Sequence, residues 1–267
     1  MLSVLFWNVQ KKPLLDRVAR LVRAHAVDVV VLAECAQTDA ELLASLNGGG
    51  GKQFVTPPRG ENRLRVATAL PASQFAGVFT DTSRRLIVYE YRPTTGDPIL
   101  LAGVHLPSQQ SPSPYVIGRV AAELRECERG QGHDRTFVVG DFNCSPFDDV
   151  MVNALGFHAL MTRELAVRQH RRTVQGEEYP TFYNPMWQFL ADRAGRPPGT
   201  YYRHASVELN HFWYALDQVL VRPALADKLR AVEILETDGT DRLAVPRGWP
   251  DESTASDHLP LLFRLDW

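Results

Sequence analysis

The chain has 267 residues, 45% of them hydrophobic and 22% charged, with a formal net charge of −2. That is enough apolar material for a sizeable core, which excludes a disordered chain, and the near-neutral balance excludes a global positive field, so a polyanionic partner must be met by local patches. Cys35, Cys127 and Cys144 are odd in number and scattered, which excludes zinc-ligand spacing and a disulfide framework.

The elements are taken in chain order. Residues 2–8 form a β-rich apolar run that is too short for a secretory h-region and lacks a basic flank. Apolar residues at helical spacing over 14–24 predict a helix, and the continuous apolar run 27–32 a buried strand. A second helix is predicted over 39–46, followed by a glycine loop at 48–51. Strands are expected at 66–70, 85–91 and 99–105. Pro112 and Pro114 break the chain before a helix over 115–128, and residues 136–140 read as a buried strand that ends in Asp141. Further strands are expected at 216–221, 232–236 and 261–265. No run reaches the roughly 20 apolar residues of a membrane span, so a cytoplasmic protein with no membrane partner is expected. Strands outnumber helices, and polar residues stand just after strand ends. This order predicts an α/β (α+β) chain with two packed sheets and helices outside. A single domain over 1–267 is expected, with an aromatic-rich and proline-rich insertion at about 161–214.

The strongest chemical signal is Val139-Gly140-Asp141-Phe142-Asn143-Cys144-Ser145-Pro146. An apolar strand here delivers a carboxylate and a carboxamide two residues apart, so alternation points both the same way. Beside a phosphate, the acid can orient or deprotonate water and the amide can donate to a phosphoryl oxygen. An Asx turn capping the next helix is the alternative reading. Ser256-Asp257-His258 sets an acid and an imidazole side by side before the last strand. In Val29-Val30-Val31-Leu32-Ala33-Glu34, a buried strand ends in a glutamate that needs either a cation or a buried arginine. Asn8, His105 and Asp217 stand at or near the ends of other apolar runs. Taken together these are hard oxygen ligands with two imidazoles, a set suited to Mg²⁺ or Mn²⁺ rather than zinc.

The ordered series Trp7-Asn8, Leu32 to Glu34, His105-Leu106, Gly140-Asp141-Phe142-Asn143, Leu216-Asp217 and Ser256-Asp257-His258 resembles the DNase I-like endonuclease/exonuclease/phosphatase superfamily, and it spans nearly the whole chain. The resemblance implies a four-layered α/β sandwich of two packed mixed β-sheets flanked by helices. It further implies Glu34 as principal ligand of Mg²⁺ (or Mn²⁺) with Asn8 beside it, and Asp257 as a contact to metal. In the catalytic set it implies Asp141 acting on the attacking water, Asn143 holding the phosphate, His258 stabilising the transition state with Asp217 fixing its tautomer, and His105 facing the phosphate from the other side. Abasic-site nucleases carry a tyrosine where this chain has Arg65-Val66-Ala67-Thr68-Ala69, and usually Asp-Tyr where it has Asp217-Gln218. His105-Leu106-Pro107-Ser108 followed by Arg119 is closer to tyrosyl-DNA phosphodiesterases and general bacterial members, which makes Arg119 a candidate substrate contact.

The insertion interleaves Arg168, Arg171, Arg172, Arg196 and Arg203 with Tyr179, Phe182, Tyr183, Trp187, Tyr201 and Tyr202. Aromatic faces beside guanidinium groups hold single strands without reading sequence, so Arg171 and Arg172 are candidate substrate-binding residues; the alternative is that these aromatics pack the insertion onto the body. The expected function is a metal-dependent phosphodiester hydrolase, a nuclease with nucleic acid as substrate. A phosphatase or phosphodiesterase for a small or lipid phosphoester is a second reading, and a binding module on the same fold a third.

Overall fold

In the computed structural model, which describes residues 1–58, 62–108, 113–191 and 196–267, the chain opens with β1 (Leu2–Asn8), α1 (Leu15–His25), β2 (Val29–Ala33) and α2 (Asp39–Asn47). It continues through β3 (Leu64–Thr68), β4 (Phe75–Thr80), β5 (Leu86–Tyr91) and β6 (Ile99–His105) to α3 (Pro114–Gln131) and β7 (Thr136–Asp141). Next come α4 (Asp149–Val152), β8 (Ala159–Leu160), α5 (Arg163–Arg168), the hairpin of β9 (Arg171–Val174) and β10 (Glu177–Pro180), β11 (Phe182–Tyr183) and a 3-10 turn (Pro185–Phe189). The chain closes with β12 (Tyr201–Tyr202), β13 (Trp213–Tyr214), β14 (Asp217–Val221), α6 (Pro223–Ala226), β15 (Leu229–Ile234) and β16 (Leu261–Leu265). Pro112 lies outside the described residues, while Pro114 opens α3 behind the N-cap Ser113, whose hydroxyl accepts from the Val116 N–H.

Two mixed sheets carry the fold. The first has the order β15-β16-β1-β2-β3 and the second β4-β5-β6-β7-β14-β11-β8. The pairs β1/β2 and β6/β7 are parallel, and β16 and β14 flank them antiparallel. Strand alternation assigns every apolar side chain to a layer. Leu2, Val4 and Phe6 of β1 meet Ile99 and Leu101 of β6, Phe137 and Val139 of β7, and Val219 and Val221 of β14 between the sheets. Leu5, Trp7, Val30 and Leu32 face the other way, onto Val18, Leu21 and Leu42 of α1 and α2. Leu100, Ala102, Val104 and Val138 face Ile117, Val120 and Leu124 of α3. Helices, sheet, sheet and helices thus form four layers, as expected. The central strands are buried on both faces, which is why they read as unbroken apolar runs.

The sequence reading differs from the structure at strand ends and at an exposed sheet edge. β3 begins two residues before the predicted 66, where its first residue Leu64 pairs with Ala33. β15 lies at 229–234 rather than 232–236, with a register shift between Leu229 and Ala231. β4 was not anticipated: Ala76 and Gly77 are exposed, and a bulge between Gly77 and Phe79 interrupts its alternation on the sheet edge. The aromatic-rich segment contributes to the second sheet, because Phe182 pairs with Ala159, and Tyr183 pairs with both Leu160 and Val221. It is pinned by Arg222, which is buried with Glu128 in a two-pronged pair (2.9 and 2.8 Å) and also donates through Nη1 to the carbonyls of Pro180 and Thr181. Removing one member of such a pair typically costs about 3–5 kcal/mol, since the other is left charged and unpaired. Cys35, Cys127 and Cys144 are free. No helix among the described residues is long and apolar enough to cross a membrane.

Candidate active site

The site is the polar end of the inter-sheet core. Along β1 the inward positions are 2, 4, 6 and then Asn8; along β6 they run 99, 101, 103 and then His105; along β7, 137, 139 and then Asp141; and along β14, Asp217 precedes 219 and 221. The apolar rows stop together, and each is continued by one polar side chain on the same face. Register aligns three of them: His105 pairs with Asp141, and Asp141 with Asp217. They therefore stand in a row across adjacent strands, about 4.8 Å apart in backbone spacing.

Opposite this row lie residues of the first sheet, and three contacts join the two. The Asn8 amide donates through Nδ2 to Asp141 Oδ2 at 3.0 Å. Glu34 Oε1 is 3.7 Å from His105 Nε2. His258 Nδ1 meets Asp217 Oδ2 at 2.8 Å. Asp141, Asp217 and His258 offer ligand atoms that all lie within 4.8 Å of one another. Glu34 follows the inward Ala33, so plain alternation would turn it outward; its φ of 50° is left-handed, which breaks the alternation and accompanies its approach to His105. Asn143 also has a positive φ, 51°. Its N–H donates to Asp141 Oδ1 at 2.9 Å, and its Nδ2 donates to the Leu106 carbonyl. Such backbone costs of order 1–3 kcal/mol each and persists where the surroundings fix it.

Gly140 makes the row possible. A Cβ there would lie 1.9 Å from the Val104 carbonyl oxygen, so only glycine lets β6 and β7 approach and set His105 beside Asp141.

Electrostatics separates the groups. Burial pushes the Asp141 carboxyl up to about 7; the Asp217 carboxylate adds to this, while His258, the Asn143 N–H and the Asn8 amide oppose it. Burial works against a charged His258 ring, but Asp217, Asp141 and Asp257 outweigh it and hold the imidazole at about 10. For His105, burial lowers the ring to about 4, with Glu34 opposing and Arg85 and Arg63 reinforcing. The free site near neutrality thus holds an imidazolium at His258, a neutral ring at His105 and a carboxyl at Asp141 poised to exchange a proton. His105 Nδ1 and Asp217 Oδ1 are buried with no hydrogen-bond partner among the described residues.

Asp257 lies at the margin, partly buried, with Oδ1 3.2 Å from Ser256 Oγ, and burial raises its carboxyl. Arg119 is on α3, 3.9 Å from Glu123 and near enough to Arg85 to lower it. Arg171 and Arg172 are not brought to the site. Arg171 lies on the β9/β10 hairpin near Asp134 (3.8 Å) and Glu178 (3.7 Å). Asp134 precedes β7, whose far end carries Asp141, and seven residues of extended chain span about 23 Å. Tyr179 and Phe182 likewise belong to that distal end, Tyr179 under Arg125 and Phe182 under Arg222.

The aromatics that do reach the site come from the later part of the segment. The Tyr201 ring lies 5.0 Å from the His258 ring, and the two residues share a β-bridge. Ring contacts then run from Tyr201 to Tyr214, His211 and the exposed Phe147. Sequence reasoning also missed the supporting groups. Ser256 Oγ donates to the Asn8 carbonyl at 2.6 Å and accepts from the His258 N–H. Trp7 Nε1 donates to the His258 carbonyl at 2.8 Å. Gln218, on the opposite face of β14 from Asp217, donates to the Cys144 carbonyl at 2.6 Å and accepts from Asn184, holding the loop that carries Asn143. Ser256 and Trp7 stand inside motifs already singled out and Tyr201 among the aromatics of the insertion, but nothing in the sequence marks Gln218 as a support of the Asn143 loop.

A model of the Endonuclease/Exonuclease/phosphatase family matches residues 5–258. Among solved structures, the chain is similar to the 3′ phosphatase NExo from Neisseria bound to product DNA hairpin, with 20% identity, a TM-score of 0.58 and 100% of each chain covered. It is similar to TDP2 from D. rerio complexed with single strand DNA product, with 14% identity, a TM-score of 0.55 and coverage of 98% of this chain and 97% of the other. The endonuclease domain of TRAS1, a telomere-specific non-LTR retrotransposon, gives 12% identity and a TM-score of 0.55, with 100% and 99% covered. At these identities the likeness is one of fold. A search of curated proteins found no match.

Proposed function

The chain belongs to the endonuclease/exonuclease/phosphatase family, and from that premise we propose that it is a divalent-metal-dependent phosphodiester hydrolase that cleaves nucleic acid by attack of water on phosphorus. The observation that carries this reading is the triple contact between the sheets, Asn8 with Asp141, Glu34 with His105, and Asp217 with His258. In this reading Asp141 is the base, His258 the cationic acid and His105 the neutral imidazole around one point.

The donor chemistry fits a hard cation. The part-exposed Glu34 carboxylate and the Asn8 amide oxygen are oxygen ligands of the kind Mg²⁺ and Mn²⁺ take, the buried Asp217 Oδ1 has no partner among the described residues, and Asp257 stands at the margin. Glu34 and Asn8 would hold the ion, which when bound polarises a phosphoryl oxygen and offsets charge on the leaving oxygen. The remaining steps belong to side chains. Asp141, with its carboxyl near 7, takes the proton of the attacking water. His258, charged and fixed at Nδ1 by Asp217, donates from Nε2 to the phosphoryl oxygens as charge builds on them. His105, neutral, faces the phosphate from the other side, and the Asn143 loop closes the phosphate-binding edge.

Nucleic acid as substrate draws on two observations. Phe147, His211, Tyr214 and Tyr201 form a ring path leading to His258, a surface on which bases can stack. The similar Neisseria and D. rerio structures hold DNA. The test is cleavage of labelled single-stranded and double-stranded DNA and RNA in Mg²⁺ or Mn²⁺, beside a bis-aryl phosphodiester and the Asp141→Asn variant. Metal-dependent cleavage that the variant loses is expected. Turnover of the aryl ester alone would move the function to small phosphoesters, and full activity in EDTA would remove the metal.

A further inference from the structure

The row of groups at the end of the second sheet continues beyond His105. One strand farther from Asp141 stands Arg85, immediately before β5. The His105 N–H donates to the Arg85 carbonyl at 3.0 Å, and the Arg85 guanidinium donates through Nη1 to the His105 carbonyl at 3.3 Å. Two strand spacings, about 10 Å, thus separate the backbones of Arg85 and Asp141. Arg63 joins the same corner, its N–H donating to the Arg84 carbonyl at 3.2 Å. Arg119 is on α3, which packs against β5, and the charges of Arg63 and Arg119 both act to lower Arg85.

Compensating carboxylates are poorly placed. Arg119 Nε is buried without a hydrogen-bond partner among the described residues, and Glu123 stands 3.9 Å away. Asp81, the acid that acts on Arg85, already accepts from the N–H groups of Ser83, Arg85 and Leu86. Among the described residues, Arg63 and Arg85 have no carboxylate in ion-pair contact, unlike Arg20, Arg92 and Arg222 elsewhere in the molecule. Arg63 is exposed and Arg85 and Arg119 are part-exposed, so their like charges repel modestly across solvent, and an anion at this corner relieves that repulsion. Their planar forks suit phosphate oxygens.

We propose that Arg63, Arg85 and Arg119 bind a second phosphate of the substrate, one linkage from the scissile phosphate on the His105 side. This rests on the reading of the site as one that cleaves nucleic acid, and it gives the bound strand a polarity: charge is recognised on the arginine side and bases on the Tyr201 side. An internal diester and a terminal phosphate monoester present the same chemistry to this corner.

The test uses short oligonucleotides in which the linkage on one side or the other of the scissile phosphate is a neutral methylphosphonate, plus a third ending in a phosphate monoester at that place. Cleavage in Mg²⁺ is followed by product length for the wild type, Arg63→Gln, Arg119→Gln and the double variant; Arg85 is left intact because it also holds the His105 backbone. In the wild type, neutralising the linkage on one side is expected to lower kcat/KM roughly 30-fold, the size of a charge-assisted contact, with little effect on the other side. In the double variant that penalty should shrink to below about threefold, and whether the terminal monoester restores the rate identifies which phosphate is taken. A penalty of the same size in the double variant, or no penalty on either side in the wild type, overturns the arginine site while leaving the nuclease reading intact. Hydrolysis of a bis-aryl phosphodiester with no cleavage of any oligonucleotide overturns both.

Discussion

Replacing Asp217 with Asn isolates the electrostatic centre of the site. The substitution keeps size and shape but removes the carboxylate that meets His258 Nδ1 at 2.8 Å, the foremost group favouring the charged ring against its burial. His258 stands at about 10 against an ordinary 6.5, and at 1.36 kcal/mol per unit this corresponds to about 5 kcal/mol of preference for the imidazolium. Burial remains in the variant while Asp141 and Asp257 still favour the charge, so the ring should titrate well below its wild-type value. The measurement is an NMR titration of His258 in metal-free protein between pH 5 and 10.5, which needs no activity. A midpoint near 10 is expected for wild type, and a fall of well over one unit in Asp217→Asn. The stability sign follows: a histidine raised in the folded state contributes stability fully present below pH 6.5 and lost as pH rises through about 10, so the variant should lack that loss on the alkaline side. Its turnover near pH 7.5 should fall by about 10²–10⁴, the range for a mispositioned acid–base group. A His258 midpoint within one unit of wild type would refute the reasoning and assign the charge to other neighbours.

Four further outcomes are expected. Gly140→Ala sets a Cβ 1.9 Å from the Val104 oxygen, so β6 and β7 must part; a cost of about 1–3 kcal/mol or more should appear in urea unfolding, with a larger relative loss of activity, and unchanged stability would contradict the close approach. Asp141→Asn should abolish most turnover yet stabilise metal-free protein at pH 8 by about 2–4 kcal/mol, because a carboxyl raised to about 7 when folded is increasingly unfavourable as pH rises from 3.8 through 7; a destabilised variant would overturn that sign. His105 is lowered to about 4, so its contribution is complete above pH 6.5 and lost as pH falls to about 4; the stability difference between metal-free wild type and His105→Asn should change by about 3 kcal/mol across that window, and a flat difference would remove the cause. Glu34→Ala should raise the Mg²⁺ concentration needed for half-maximal rate by at least tenfold, whereas an unaltered requirement would take Glu34 out of the metal site.

The sequence was most legible where strands are buried on both faces. Residues 99–105 and 261–265 matched to the residue, since an apolar run flanked by polar ends has only one placement. Half-exposed edges such as β4 were not legible, because a bulge and two exposed positions erase the alternation that marks a strand. Arg171 and Arg172 were read as candidates from the aromatics around them, but chain position carries no information on which end of a strand a hairpin will cover; the Asp134 contact sets Arg171 at the end of β7 away from Asp141.

What the sequence by itself determined is therefore the list of strand ends that carry Asn8, Glu34, His105, Asp141 and Asp217, because an apolar run and the polar residue that ends it are local to each strand. Only the tertiary structure decided that these ends coincide. Register between β6, β7 and β14 sets His105, Asp141 and Asp217 in one row, and the packing of one sheet on the other adds Asn8, Glu34 and His258 across from it. The same packing brought in Tyr201, Gln218, Arg63 and Arg85, whose neighbours in space lie 20 to 74 residues away in the chain. Pairing between distant strands is a property of the assembled sheets, and no window of sequence contains it.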